Sequence, residues 1–146
     1  MAVMRDRPYG NSNFLVDFGA GDNRSATAGF SEVIFPPFAV DPAESKQHQD
    51  ANATDAAVGN RLILKRGLIG SLDLYAWWNK ARRGKAPQRR TVKIELLSED
   101  HSTVVLTWRF RNVRPVSLAY SPLRATDDGS IVIETVELTF DNMEMS

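Results

Sequence analysis

The chain contains no cysteine, which excludes disulfides, thiolate metal sites and a cysteine nucleophile. Its two histidines, His48 and His101, leave little material for a histidine-based catalytic or zinc site. No run approaches the roughly 18 apolar residues of a membrane-spanning helix. The opening stretch Met1-Ala2-Val3-Met4-Arg5-Asp6-Arg7-Pro8 lacks the apolar segment of a signal peptide. There is no glycine-rich phosphate loop of the Walker or dinucleotide type. Gly67-Leu68-Ile69-Gly70-Ser71 precedes a helical pattern and could cradle an anion, but the lysine of a P-loop is missing; a strand-to-helix turn explains those glycines. What is present is ordinary for a folded domain: 146 residues, 42% hydrophobic and 25% charged. These features fit a soluble cytosolic domain.

Eighteen basic and eighteen acidic residues balance overall but are segregated. From Arg61 to Lys93 there are ten basic residues and a single acid, Asp73. From Glu32 to Asn60 there are five acids against Lys46, and from Thr126 to Ser146 six acids and no base. Such blocks allow two readings: faces of opposite sign that serve self-association or an anionic partner, or solvated faces that cancel within one fold.

Period-two alternation marks strands at Arg61–Arg66, Thr91–Leu97, Thr103–Arg111 and Ile131–Phe140, with weaker candidates at Asn13–Phe18, Ala26–Ile34 and Val113–Tyr120. In Thr103–Arg111 the alternation puts Val104, Leu106, Trp108 and Phe110 on a buried face and Val105, Thr107, Arg109 and Arg111 on a wetter one. In Ile131–Phe140 it puts Glu134 on the same face as Val132, Val136, Leu138 and Phe140. One helix interrupts the strands, with Ser71 as N-cap, Asp73 in the first turn, Lys80, Arg82 and Arg83 in the last and Gly84 at the left-handed C′ position. Adjacent Trp77 and Trp78 do not fit one narrow apolar stripe. Either one of them meets another subunit or a sheet edge, or the core is broad; we place Trp77 at an inter-subunit contact. Residues 36–60 form a long polar stretch with three prolines near its start, expected to be a flexible loop that orders against a neighbour.

Chemistry is scarce. Asp127-Asp128-Gly129 reads as a turn, His101 sits in a polar hairpin after Ser98-Glu99-Asp100, and Asn52-Ala53-Thr54 matches a glycosylation sequon that means nothing without secretion. No nucleophile–base pair can be assembled, and no cofactor or metal is expected. The cations of Arg82–Arg90 beside Trp77 and Trp78 are the mix that single-strand nucleic-acid binders use, and this is the rival reading from a different class.

Five pieces in order resemble the tail tube proteins of contractile phage tails and phage-tail-like injection particles. They are Asn13-Phe14-Leu15-Val16; Ala28-Gly29-Phe30-Ser31-Glu32-Val33; Ile63-Leu64-Lys65-Arg66-Gly67 with Ser71-Leu72 and the Trp77-Trp78 helix; Trp108-Arg109-Phe110-Arg111-Asn112-Val113-Arg114-Pro115; and Ile133-Glu134-Thr135-Val136-Glu137-Leu138. Where the family continues into an extended hairpin after the second piece, this chain has Ile34-Phe35-Pro36-Pro37 and the acidic, alanine-rich stretch. The resemblance implies a single mainly-β domain over 1–146, a small β-sandwich or barrel with one flanking helix. Six copies would close into rings that stack into a tube assembled in the bacterial cytoplasm. The implied partners are further copies of the chain, a sheath, baseplate or initiator proteins, DNA or effector cargo in the lumen, and a target membrane on injection. A single-ring initiator or tail adaptor is the alternative within the class. For the stacking contact the charge blocks suggest Asp41, Glu44, Asp50 and Asp55 of one ring against Lys80, Arg82, Arg83, Lys85, Arg89 and Arg90 of the next.

Overall fold

A computed structural model describes residues 2–19, 30–40, 60–84, 89–126 and 128–146. Among the described residues seven strands and one helix follow in the order β1 (Phe14–Asp17), β2 (Phe30–Ile34), β3 (Arg61–Gly67), α1 (Asp73–Arg82), β4 (Arg90–Leu97), β5 (Val104–Tyr120), β6 (Ile133–Thr139) and β7 (Asn142–Met145). All pairings are antiparallel, in the order β1-β4-β5-β6-β3-β2, with β7 added to β5. The expected mainly-β architecture with one helix is what the chain adopts.

The two expected segments Thr103–Arg111 and Val113–Tyr120 are one strand of 17 residues, β5. Its first half pairs with β4 and β7, its second half with β6. Between the halves Asn112 takes φ 55°, a left-handed conformation open to Asn at little cost, so the strand turns without ending. A second irregularity follows, where Pro115 pairs with Leu138 and Ser117 with Glu137, leaving Val116 as the extra residue. Proline, with no N–H to give, suits such a bulge.

The turn in β5 lays one half of the sheet over the other. Val16, Phe18, Val92, Ile94 and Phe110 from one half meet Leu62, Leu64, Val136 and Leu138 from the other, with Leu74 and Trp77 of α1 in the same cluster. The face read from alternation holds for β6, including Glu134 on the inner side, and β3 and β4 likewise bury alternate residues, Leu62 and Leu64 on one and Val92 and Ile94 on the other. In β5 the expectation needs a correction: Phe110 is fully buried, but Val105 is buried and Val104 exposed. The N-terminal segment lies along this stretch, with the Val3 N–H donating to the Val105 carbonyl at 2.8 Å.

That segment is fastened by Arg5. Its guanidinium binds Glu99 on the β4–β5 turn, donates to the Arg7 and Pro8 carbonyls and stacks on Tyr9, 3.8 Å from the ring centre. The Arg5 hydrogen bond holds the Glu99 carboxyl down at about 2. The helix starts one residue later than expected: Leu72 is the N-cap position, while the Ser71 hydroxyl accepts from the Asp73 N–H at 3.4 Å. Gly84 takes the left-handed conformation expected of it (φ 68°). The expected loop at 36–60 lies outside the described residues from 41 to 59.

Because Asn112 is the pivot, Asn112→Gly should be near-neutral, whereas Asn112→Val should cost about 1–2 kcal/mol in urea unfolding. Equal stability of the two variants would remove the pivot from the account of the fold.

Candidate assembly surface

The helix is anchored to the sheet by a charge cluster that sequence reading missed. Arg66 continues the inward row Leu62–Leu64 on β3 and is 1% exposed. Its Nε donates to Glu134 of β6 at 2.8 Å and its Nη2 to Asp73 of α1 at 2.6 Å. The Tyr120 hydroxyl of β5 donates to the other Glu134 oxygen at 2.8 Å, and the Phe30 ring of β2 lies 5.4 Å from the guanidinium carbon. Burial disfavours the charged Asp73 carboxyl, but hydrogen bonds from Arg66, Ser71 and the Leu74 N–H outweigh it and hold the group below its usual value. Burial, with Glu134 second, pushes Tyr120 up to about 12. The available signal was an acid on the apolar face of one strand and a base continuing the apolar row of another. Their pairing is in register, Arg66 opposite Glu134.

Antiparallel pairing disposes of part of the charge segregation. Arg61 of β3 meets Glu137 of β6 at 2.7 Å, Arg111 meets Glu144 at 3.1 Å, and Arg89 meets Asp141 at 3.5 Å. Here basic and acidic blocks cancel inside one fold.

The proposed contact residues therefore separate. Asp41, Glu44, Asp50, Asp55 and Lys85 lie outside the described residues. Lys80, Arg82 and Arg83 are exposed around the last turn of α1, with Arg82 also bonded to Asn79 and lying over Trp78. Arg89 faces Asp141 of its own chain. Arg90 packs its guanidinium over the Trp77 ring at 4.6 Å, and burial there pulls it below the usual arginine value against the field of Asp73. Trp77 corrects our placement: it is 1% exposed, seated edge-on to Phe18 at 5.7 Å, and has no surface to offer a neighbour. The half-buried tryptophan is Trp78. A buried Trp77 cannot stack a nucleic-acid base, which removes one support of the single-strand-binding reading.

Among the described residues β1 and β2 end the strand order and β7 is added at β5, each of the three paired on one side only. A cleft of about 450 Å³ opens between β1 and β2 over Phe14, Val33, Phe35, Ile94 and Trp108, with Tyr9–Asn11 at its rim. Among the described residues no group of three or more His, Asp or Glu side chains is placed to hold a metal, and no helix is long and apolar enough to cross a membrane.

The family model for the T4-like virus tail tube protein gp19 matches residues 10–144. The chain belongs to this tail tube family. No curated protein sequence matches it. Among solved structures, this tail tube protein resembles a chain of the PVC sheath–tube complex, an extracellular contractile injection system in its extended state. The TM-score is 0.70 at 19% identity, covering 95% of this chain and 91% of that one. A chain of the PVC sheath/tube terminator gives 0.72 at 19% identity, covering 97% and 98%. Hcp1 from Flavobacterium johnsoniae gives 0.58 at 12% identity, covering 92% and 94%.

Removing one partner of the buried pair, as in Glu134→Gln, should cost about 3–5 kcal/mol, while Arg66→Met/Glu134→Leu should recover most of it. Denaturant unfolding of both variants checks this. Asp73 has a depressed folded value, so its contribution is complete above its unfolded value near 4 and is lost as pH falls through the folded one. Asp73→Asn should therefore flatten the fall in stability below about pH 4; an unchanged slope would assign that fall to other carboxylates.

Proposed function

We propose that this tail tube protein builds the inner tube of a contractile phage tail or phage-tail-like injection particle, as six-membered rings stacked end to end. The observation that carries the reading is the open sheet on a tail tube fold. Among the described residues β1 and β2 are each paired on one side only, and a domain with bare edges is prone to uncontrolled pairing unless a neighbour takes them. Edge-to-edge joining around a ring satisfies them and makes a continuous wall. The role is structural: the tube conducts DNA or effector protein, a sheath surrounds it, baseplate or initiator proteins start it, and it meets the target membrane only on injection. Stacking repeats one contact between two different faces, so it propagates along the axis without closing.

Lys80, Arg82 and Arg83, with Lys85, are the basic side of the stacking register, facing Asp41, Glu44, Asp50 and Asp55 of the next ring. Arg89, exposed beside Asp141, stays on this basic side, while Arg90 lies over Trp77 of its own chain and contributes less. Such charges act more on association rate and alignment than on affinity.

Negative-stain electron microscopy with sedimentation of the purified chain tests the assembly: six-fold rings and tubes are expected. Rings that never stack at any concentration would point to a single-ring adaptor. Lys80→Glu/Arg82→Glu/Arg83→Glu should slow tube growth by about tenfold at low salt, the difference shrinking at about 1 M salt where the Debye length is about 3 Å. Light scattering reads this, and equal rates at low salt would remove the charge register.

A further inference from the structure

The first half of β5 has β4 on one side and β7 on the other, but β7 accompanies it only as far as Thr107. There the Thr107 N–H donates to the Ser146 carbonyl at 2.9 Å and the Ser146 N–H donates back at 3.0 Å. Two residues earlier the Val105 carbonyl accepts from the Val3 N–H at 2.8 Å, so Val3 takes up the line that β7 leaves. Val105 is also the extra residue of a bulge, because Leu96 pairs with Leu106 and Leu97 with Val104. The bulge shifts the alternation by one, which is why Val105 is buried and Val104 exposed. Buried as it is, Val105 stands outside the main core cluster.

Residues 2–8, which pass this point, are exposed and keep their shape through polar contacts centred on Arg5. The Arg5 guanidinium donates to the Arg7 carbonyl at 2.6 Å and the Pro8 carbonyl at 2.9 Å, and the Tyr9 hydroxyl returns to the Val3 carbonyl at 2.7 Å. The result is a loop closed on itself. Among the described residues two polar ties join it to the rest of the chain, the Val3–Val105 ladder bond and the Arg5–Glu99 pair, which is open to solvent. The two halves of the sheet, by contrast, are held by a dry core. A segment with so few buried contacts opens locally, at a fraction of the free energy that unfolds the whole domain.

We propose that residues 2–9 are a strap that guards the β5 edge: closed, it occupies the Val105 carbonyl and keeps the Val105 side chain dry, and opened at the Arg5–Glu99 latch it bares an edge that a strand of a second copy can take. Position assigns the role. Val105 lies past the reach of β7, so the strap is what stands on the ladder there, and covering an edge with a loop is one of the ways sheets prevent unwanted pairing. The latch suits a part that opens, since an exposed ion pair sets direction while adding little depth. The inference concerns a single copy and does not depend on the ring or tube reading.

The test uses the full chain and two variants that untie the strap at different points, Glu99→Ala at the latch and Val3→Pro at the ladder bond. Arg5 lies over the Tyr9 ring, 3.8 Å from its centre, so chymotrypsin can take Tyr9 only from the open strap. Loss of residues 1–9, read by intact mass, therefore follows the open fraction. Each variant should be cut about fivefold faster than the wild type, with a melting temperature within about 4 °C of it. At concentrations where the wild type sediments as one species, both variants should form larger species that grow with concentration. Unchanged cleavage would mean that these ties do not hold the strap, and a larger fall in melting temperature would make the segment part of the cooperative fold. Faster cleavage without larger species would leave the strap nothing to guard. Any of the three overturns the proposal, whereas a wild type that never forms rings removes the tube reading and leaves this test intact.

Discussion

A guanidinium at 1% exposure has given up its hydration, and several kcal/mol of desolvation must be offset by charges and hydrogen bonds placed in advance. Arg66 approaches that condition because four elements converge on it: Glu134 from β6, Asp73 from α1, Phe30 from β2 and, through Glu134, Tyr120 from β5, with only its Nη1 left buried without a hydrogen-bond partner. The cluster makes the fold intolerant of error. Slipping β3 by one residue would turn Arg66 outward and bring Lys65 and Ile63 into the place of Arg66 and Leu64. It would leave Glu134 buried without its charge partner. The ion pair thus specifies register more than it adds stability, and register positions the end of β3 from which the helix extends.

Much of this was legible in the residues, because the physics that writes alternation is local. β3, β4 and β6 need apolar residues at every second position to bury one face, and Glu134 already appeared on the inner face of β6. What alternation cannot carry is the identity of the strand across the ladder, so Arg66 and Glu134 were visible singly and not as a pair. β7 was missed because Asn142–Met145 buries too little to alternate clearly, being held by backbone bonds to β5 and the Arg111–Glu144 pair. The break assumed at Asn112 reflects a real change of partner, but nothing in the sequence says the chain keeps extending through it. Trp77 was misplaced because the stripe of a ten-residue helix does not say which of two adjacent tryptophans faces the sheet. Asp73, bound to Arg66, decides that rotation, and Trp77 follows Leu74 inward.

The site was less legible than the fold for a related reason. Charge segregation along a chain is a one-dimensional property, and antiparallel pairing folds it back on itself. The basic run that begins at Arg61 lies beside the acidic run of β6, so Arg61 and Arg66 face Glu137 and Glu134, and Arg89 reaches Asp141. Of that basic run, what stays exposed and outside these pairs among the described residues is chiefly the last turn of α1.

In the proposed assembly of stacked rings two things are needed: each ring must close with one orientation, and rings must join strongly enough to survive axial load. Strand edges suit the first, since backbone pairing imposes direction and spacing on each neighbour. Exposed ion pairs are poor at the second, being worth less than about 1 kcal/mol each and weakened by salt. Apolar contact is neither directional nor screened and grows with the area removed from water. With sixfold repetition, even a modest apolar seat at each subunit multiplies into a strong ring-to-ring joint, because all six contacts must open together.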